Sequence, residues 1–383
     1  MNPFDFATAG RIIFGEGRLR EIGGIAQEFG TRALVVCGLV DRAQPLFALL
    51  DDAKISFTHF SVKGEPTLQF VKEGVELARA SDAQMIISFG GGSAIDSGKA
   101  IAALVTNPGD PLDYLEIIGK GQKLVNAPLP FVAIPTTAGT GAEVTRNAVV
   151  ASPEHRLKVS LRSPLMLPKV ALVDPELTYE LPREITAYTG MDAITQVLEP
   201  LVSNAANIMT DMICQLGLLY GANAIFDAYA SDDHAARATM SLVSLWGGIA
   251  LTNAKLGAVH GFAGVLGGMY DAPHGALCAA LLPHVTLVNV RALQDREPNN
   301  AGIRRYTSAV NYLSGYKVSD PAQTSEILLE LTRSLSIPPL RIYGIQSRDF
   351  PEIVEKSAKS SSMKGNPIVL TNDELTEILD RAL

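Results

Sequence analysis

Cysteine is scarce. Cys37, Cys214 and Cys278 are scattered through 383 residues, and their odd number and lack of a CxxC spacing exclude a disulfide framework. This usage fits a reducing, cytoplasmic compartment. A basic excess is also lacking. The 32 Lys and Arg against 40 Asp and Glu give a formal charge of −8, which argues against nucleic acid or an anionic membrane as partner. No run of about 18 apolar residues suggests a membrane span. The opening "MNPFDFATAGRIIFGEG" lacks a basic stretch followed by an apolar one, so no signal peptide is expected. Low-complexity tracts and internal repeats are missing as well. What is present is the balance of a packed globular chain, 47% apolar and 19% charged, with a length that suggests two domains.

The first half alternates strand-like and helix-like stretches. "ALVVC" (Ala33–Cys37), "MIISF" (Met85–Phe89), "FVAIP" (Phe131–Pro135) and "KVALVDP" (Lys169–Pro175) are short apolar runs of the kind found in buried parallel strands. "TLQFVKEGVELARA" (Thr67–Ala80) has helical periodicity, with Phe70, Val71, Val75 and Leu77 forming most of an apolar stripe. Such alternation predicts a mostly parallel sheet flanked by helices. Beyond about residue 178 the chain reads as long helical stretches with few strand signals, ending in "TNDELTEILDRAL", a helix with Thr371, Asn372 and Asp373 as N-cap candidates. The expected organisation is therefore an α/β domain over 1–178 and an all-α domain over 179–383.

Two loops carry chemistry. In "MIISFGGGSAIDSGKAIAAL", three glycines stand where a strand hands over to a helix. Backbone N–H groups and the helix dipole at such a place suit an anion, and ligands of open α/β sheets bind at strand carboxyl ends. The same glycines would also serve a tight strand–helix connection. A second loop, "IPTTAGTGAEVT", also follows a strand and is rich in hydroxyls and glycine. Together the two loops favour a dinucleotide.

Histidine is rare, with six in the chain, yet His260 and His274 share one stretch, "AVHGFAGVLGGMYDAPHGALCAALLPH". Upstream, "TGMDAITQVLEP" sets Asp192 and Gln196 four apart on one helical face. Two imidazoles and a carboxylate suit Fe(II) or Zn(II), although a histidine in an apolar stretch is also a common hydrogen-bonded core residue. The cysteines read as small buried hydrophobes, and His284 as a residue that caps or packs a helix.

"GRIIFGEGRLREIG", "GGGSAIDSGKAIA", "AIPTTAGTGAEVT", "LVDPEL", "TGMDAITQ" and "VHGFAGVLGGMYDAPHGALCAALLPHV", in this order over nearly the whole chain, resemble the iron-dependent (group III) alcohol dehydrogenases. The resemblance implies a dehydroquinate synthase-like architecture, with an N-terminal nucleotide-binding domain and a helical domain that holds the metal. It implies reversible NAD- or NADP-linked interconversion of an alcohol and an aldehyde or ketone, with a divalent metal, Fe2+ or alternatively Zn2+, polarising the substrate oxygen. It also implies a homodimer. By motif, Gly91, Gly92, Ser93 and Asp96 fall at the cofactor pyrophosphate and nicotinamide side, and Thr136, Thr137 and Thr140 on the second cofactor loop. Lys158 matches a lysine near the nicotinamide ribose, and is carried with Asp192, His260 and His274 as a catalytic candidate. Asp192, His260 and His274 match three of four metal ligands.

Three positions depart from the family pattern. The fourth ligand, usually histidine, is Gln196, a neutral and weaker amide donor. Gly264 replaces a histidine that in many relatives helps to relay the proton, which removes an obvious general acid and leaves room for a bulkier substrate. Gly38 stands where NAD-preferring relatives often have an acidic residue, and Arg42 is near enough in sequence to meet a 2′-phosphate, so NADP(H) is expected to be accepted. Other readings are a metal-independent enzyme like the maleylacetate reductases, a relative of the sugar-ring cyclases, or a non-catalytic nucleotide-binding homologue.

Overall fold

The apolar runs of the first half pair side by side into one parallel sheet. The structure, a computed structural model, describes residues 3–116, 118–315 and 318–383. The strands are β1 (Arg11–Phe14), β2 (Arg32–Cys37), β3 (Ser56–Ser61), β4 (Met85–Gly90), β5 (Phe131–Pro135), β6 (Asn147–Ser152), β7 (Leu157–Arg162) and β8 (Val170–Val173). Six of them form the sheet in the order β1-β8-β5-β4-β2-β3, and β6 and β7 make a separate antiparallel hairpin. Register is set along the centre by Val35 opposite Ile87 and Ile87 opposite Val132.

Period-two alternation sorts these strands onto two cores. Leu34, Val36, Ile86, Phe131 and Ala133 point to one face, while Val35, Cys37, Ile87, Phe89, Val132 and Ile134 point to the other. Helices α1 (Ile22–Gln27) and α2 (Gln44–Asp52) cover the second face; α3 (Leu68–Ala80) and α4 (Gly92–Thr106) cover the first, and the short α5 (Pro111–Tyr114) follows. α3 starts where Thr67 Oγ1 accepts the Phe70 N–H at 3.2 Å, and Val71 and Val75 of its expected stripe are buried. From β2 the chain goes outward to β3, then crosses back to β4 on the other side of β2. The carboxyl ends of β2 and β4 therefore flank the topological switch point, where open α/β sheets take ligands.

The remaining helices are α6 (Arg183–Val202), α7 (Ile208–Ala230), α8 (His234–Ala254), α9 (Ala258–Met269), α10 (His274–Arg296), α11 (Ala301–Ser314), α12 (Gln323–Ser334), α13 (Phe350–Ala358) and α14 (Asn372–Ala382). Among the described residues, no strand follows β8. α6 is buried nearly all round, packed by α7, α8 and α10. Gly217 of α7 lets α7 and α6 approach closely, since a Cβ there would lie 2.7 Å from Val197 Cγ1. α14 begins at a reciprocal cap: Thr371 Oγ1 accepts from Glu374 N–H at 3.2 Å and Glu374 Oε2 from Thr371 N–H at 2.7 Å. By length and composition α10 would suffice to cross a membrane, but 83% of its apolar window is buried inside the protein.

The chain forms two compact units. One is Thr8–Thr137 with Gly141–Tyr179; the other is Glu180–Leu383 with Ala138–Thr140 and the N-terminal residues up to Ala7. β3 and the β6–β7 hairpin escape the sequence reading. β3, "SFTHFS", is an edge strand with no fully buried residue, so it lacks the apolar run that reveals β4.

Candidate functional site

Three helices of the second unit converge on one carboxylate. Asp192 lies in the middle of α6 and is 2% exposed. Its Oδ1 is 3.3 Å from His260 Nε2 on α9 and 3.8 Å from His274 Nε2 at the first turn of α10. Cys278, one turn along α10, places Sγ 3.6 Å from His274 Nε2 and 3.9 Å from His260 Nε2. One ligand atom from each of the four lies within 4.8 Å of all the others. The His274 side chain is 30% exposed, so the cluster is open on that side.

Glu199, two turns after Asp192 on α6, fixes the orientation of His260. Its Oε2 lies 2.7 Å from His260 Nδ1, and its Oε1 accepts the Val259 N–H at 2.7 Å. A carboxylate only accepts, so the Nδ1 proton is held toward Glu199 and Nε2 is turned to Asp192. Burial alone would lower the His260 pKa, but Cys278, Asp192 and Glu199 outweigh it and raise it well above the ordinary imidazole value. Burial would likewise raise Asp192, but His274, His260 and Cys278 reverse that and hold it below the usual carboxylate value. The His260 shift reports the acidic groups around that imidazole, and the Asp192 shift the imidazoles beside the carboxylate.

Asp192 Oδ1 is buried with no hydrogen-bond partner. An orphaned carboxylate oxygen at this depth is costly unless a cation meets it. The donor chemistry agrees: carboxylate, two imidazoles and a thiol are the ligand types of Zn(II) and Fe(II) sites. The residues therefore fit a divalent transition metal. Glu199→Gln keeps the volume and removes the charge behind His260. It is expected to weaken divalent-metal affinity by about 10- to 100-fold. A binding isotherm identical to the wild type would contradict this role.

Gln196, at the expected fourth-ligand position, is buried on α6. Its Nε2 donates to the Gly139 carbonyl at 2.7 Å, so the amide anchors the loop after β5. Gly264, one turn beyond His260, has open space at its Cβ position, with no atom within 4 Å.

In the first unit, the glycine loop and the Thr-rich loop meet at the carboxyl ends of β4 and β5. Thr136 N–H donates to Gly90 O at 3.0 Å, and a Cβ on Gly91 would lie 3.2 Å from Thr137 Oγ1. Gly90 admits no side chain, since a Cβ would sit 2.6 Å from that of Ala94. Gly91 is the N-cap of the 15-residue α4, and no side chain caps that end. Its leading N–H groups, on and beside Gly92 and Ser93, lack intrahelical partners and carry the positive end of the dipole. This bare, glycine-lined helix start beside the switch point fits a pyrophosphate. Gly38 follows β2, with its N–H donating to Phe89 O at 3.3 Å and open space at its Cβ position. Arg42 donates one guanidinium N–H to Leu177 O at 3.1 Å.

Side chains around these loops, the expected Asp96 and Lys158 among them, bond within the sheet unit. Asp96 Oδ2 accepts the Val149 N–H at 2.9 Å and so ties α4 to β6. Lys99, 1% exposed, donates to Ala142 O, Thr145 Oγ1 and Asn147 O at 2.7–2.8 Å, locking the tail of the Thr-rich loop to α4. Lys158 on β7 pairs with Glu65 at 2.9 Å. Thr136 and Thr137 belong to the sheet unit, whereas Thr140 belongs to the helical one. Asp174 of "LVDPEL" accepts N–H groups from Gly17, Leu19 and Glu176 at 2.8–3.1 Å, which explains that motif as a backbone clamp. His284 is a packing residue, its pKa held down to about 4 mainly by burial.

The Thr-rich loop also carries a buried acid. Burial pushes the Glu143 carboxyl up from 4.5 to about 7. The folded protein then keeps this proton to higher pH than the unfolded chain, so stability falls as pH rises from 4.5 to about 7. The loss is on the order of 3 kcal/mol. Glu143→Gln should melt several degrees above the wild type in mildly alkaline buffer and converge with it in acid. Parallel melting curves across the pH range would contradict this.

Sequence reasoning missed Glu199 and, as a member of the cluster, Cys278. All three cysteines are buried, as expected of small hydrophobes, and the Cys278 sulfur also lies beside two imidazole nitrogens.

Comparison with known proteins gives a consistent picture. The family model for "Iron-containing alcohol dehydrogenase" matches residues 9–175, and that for "Fe-containing alcohol dehydrogenase family, C-terminal" matches 186–383. Alcohol dehydrogenase 4 of Saccharomyces cerevisiae is 33% identical over 380 residues, 96% of each chain. A crystal structure of 1,3-propanediol oxidoreductase superposes with a TM-score of 0.91 at 31% identity, covering 100% of both chains. Sulfoacetaldehyde reductase from Bifidobacterium kashiwanohense, solved in complex with NAD+, gives a TM-score of 0.86 at 26% identity over 100% of this chain and 99% of that one.

Proposed function

Because this chain belongs to the iron-containing alcohol dehydrogenase family, we propose that it interconverts a short-chain alcohol and its aldehyde or ketone with NAD(P)(H). The observation that carries this is the orphaned Asp192 oxygen facing two imidazoles. When bound, a divalent cation supplies Lewis acidity toward the substrate oxygen, and a nicotinamide supplies or takes the hydride. Asp192, His260 and His274 hold the cation, and Glu199 orients His260. The α4 N-terminus with Gly91, Gly92 and Ser93 holds the pyrophosphate; Thr136, Thr137, Thr140 and Lys158 complete the cofactor side. Asp96 positions α4 against β6. In these terms 1–178 is the cofactor domain and 179–383 the metal and substrate domain.

The open space at Gly264 supports a substrate branched or extended near the reacting carbon. The names of the relatives support small alcohols and aldehydes, such as propane-1,3-diol, as first trials. The reading is tested by following NAD(P)H consumption with a panel of such aldehydes. Loss of the signal on chelation and its return with Fe(II) or Zn(II) supports it; full turnover in chelated protein would favour the metal-independent reductase instead.

The absence of an acid at Gly38 supports use of NADP(H). Gly38→Asp fits the open space there and sets a carboxylate against a 2′-phosphate. It should cut the NADP+ to NAD+ preference at least about tenfold, about 1.4 kcal/mol. Strict NAD use by the wild type would refute this part. We also infer a cytoplasmic homodimer. Support comes from the buried, unpaired cysteines and from Met212, Leu216 and Tyr220, an exposed apolar stripe at i, i+4, i+8 on α7. A monomer mass in sedimentation equilibrium would overturn the dimer.

A further inference from the structure

We propose that Cys278 is the fourth protein ligand of this centre, coordinating through Sγ as a thiolate, so that the donor set is one carboxylate, two imidazoles and one sulfur. The inference rests on the reading that Asp192, His260 and His274 hold a divalent metal. Three observations carry it.

The first is the shape of the cluster. Bond lengths of about 2.0–2.3 Å to nitrogen, oxygen and sulfur give tetrahedral edges of about 3.3–3.6 Å. The observed edges are 3.3 Å (Asp192 Oδ1 to His260 Nε2), 3.6 Å (Cys278 Sγ to His274 Nε2), 3.8 Å (Asp192 Oδ1 to His274 Nε2) and 3.9 Å (Cys278 Sγ to His260 Nε2). Small side-chain shifts bring all four around one ion. The second is the orphaned Asp192 oxygen, buried and aimed into the same space. The third is that His274 and Cys278 are four apart on α10 and so share one face of the helix.

The chemistry balances without another reactant. The thiol gives its proton to solvent, and the sulfur lone pair so freed forms the bond to the ion. Burial pushes the Cys278 thiol up to about 12, but a dication reverses this, because a coordinating thiol is deprotonated outright. A sulfur ligand also biases the choice of metal toward ions that accept thiolate, Zn(II) and Co(II) among them.

The test is the electronic spectrum of the full-length protein loaded with Co(II), recorded for wild type, Cys278→Ser and Gln196→Ala. The wild type should show the intense near-ultraviolet charge-transfer band of a thiolate on cobalt. Gln196→Ala should keep the band. Cys278→Ser should lose it and bind Co(II) at least about tenfold more weakly. A wild type that binds one cobalt per chain without the band, or a band that survives in Cys278→Ser, would overturn the proposal. Those results leave the metal-dependent reading standing. Conversely, a cobalt protein with the band but no hydride transfer to any carbonyl would defeat that reading and leave the ligand assignment intact. Failure of the wild type to bind cobalt would overturn both.

Discussion

Replacing Asp192 by alanine should remove bound metal and turnover together. The expected fall in kcat/KM is at least about 10³-fold, equivalent to about 4 kcal/mol. The size follows from the position. Asp192 is 2% exposed and its Oδ1 has no hydrogen-bond partner. Its charge therefore acts in a poorly screened interior, where attraction to a dication is strong. The two imidazoles add no negative charge of their own, so the carboxylate, together with the Cys278 thiolate inferred above, is the anionic anchor for the ion. The variant should keep its far-ultraviolet circular dichroism and a cooperative melt, which separates loss of metal from loss of fold. Activity retained by folded, metal-free Asp192→Ala would refute the role assigned to the cluster.

Gly91→Val should abolish productive cofactor binding and leave metal content untouched. Gly91 has φ −74° and ψ −170°, a conformation valine adopts readily, so the substitution acts through space rather than strain. Its Cβ would lie 3.2 Å from Thr137 Oγ1, and the two further methyl groups would cover the start of α4. An anion then loses access to the helix N-terminus. The expected rise in cofactor KM is at least about 100-fold, about 2.7 kcal/mol. An unchanged cofactor KM would mean that the nucleotide binds elsewhere. Because the two substitutions lie in different compact units, their separate effects on metal and cofactor are a strong joint test.

Much of the sheet unit is legible because its signals are local. β2, β4, β5 and β8 are apolar runs, and β4, buried at every residue, leads into glycines whose closeness to Thr137 and Ala94 explains their lack of side chains. β3 and the hairpin are not legible in this way, since an edge strand needs no apolar run and pairing partners are not written in local periodicity. The metal centre is only partly readable. Asp192, His260 and His274 gain meaning from the family resemblance; their spacing alone is weak. Glu199 had a signal, seven residues after Asp192 on the same helix face, as did Cys278, four after His274. What no local pattern shows is that α6, α9 and α10 converge. The engagement of Gln196 Nε2 with Gly139 is equally non-local.

The central claim is that a divalent cation on Asp192, His260 and His274 makes this chain a dehydrogenase. The most direct measurement is metal per chain, by elemental analysis of protein purified anaerobically without chelator, with aldehyde-dependent NAD(P)H oxidation assayed on the same sample at graded metal loading. The account predicts one iron or zinc per chain at full loading and turnover proportional to occupancy. Turnover independent of occupancy, persisting after complete chelation, would contradict it.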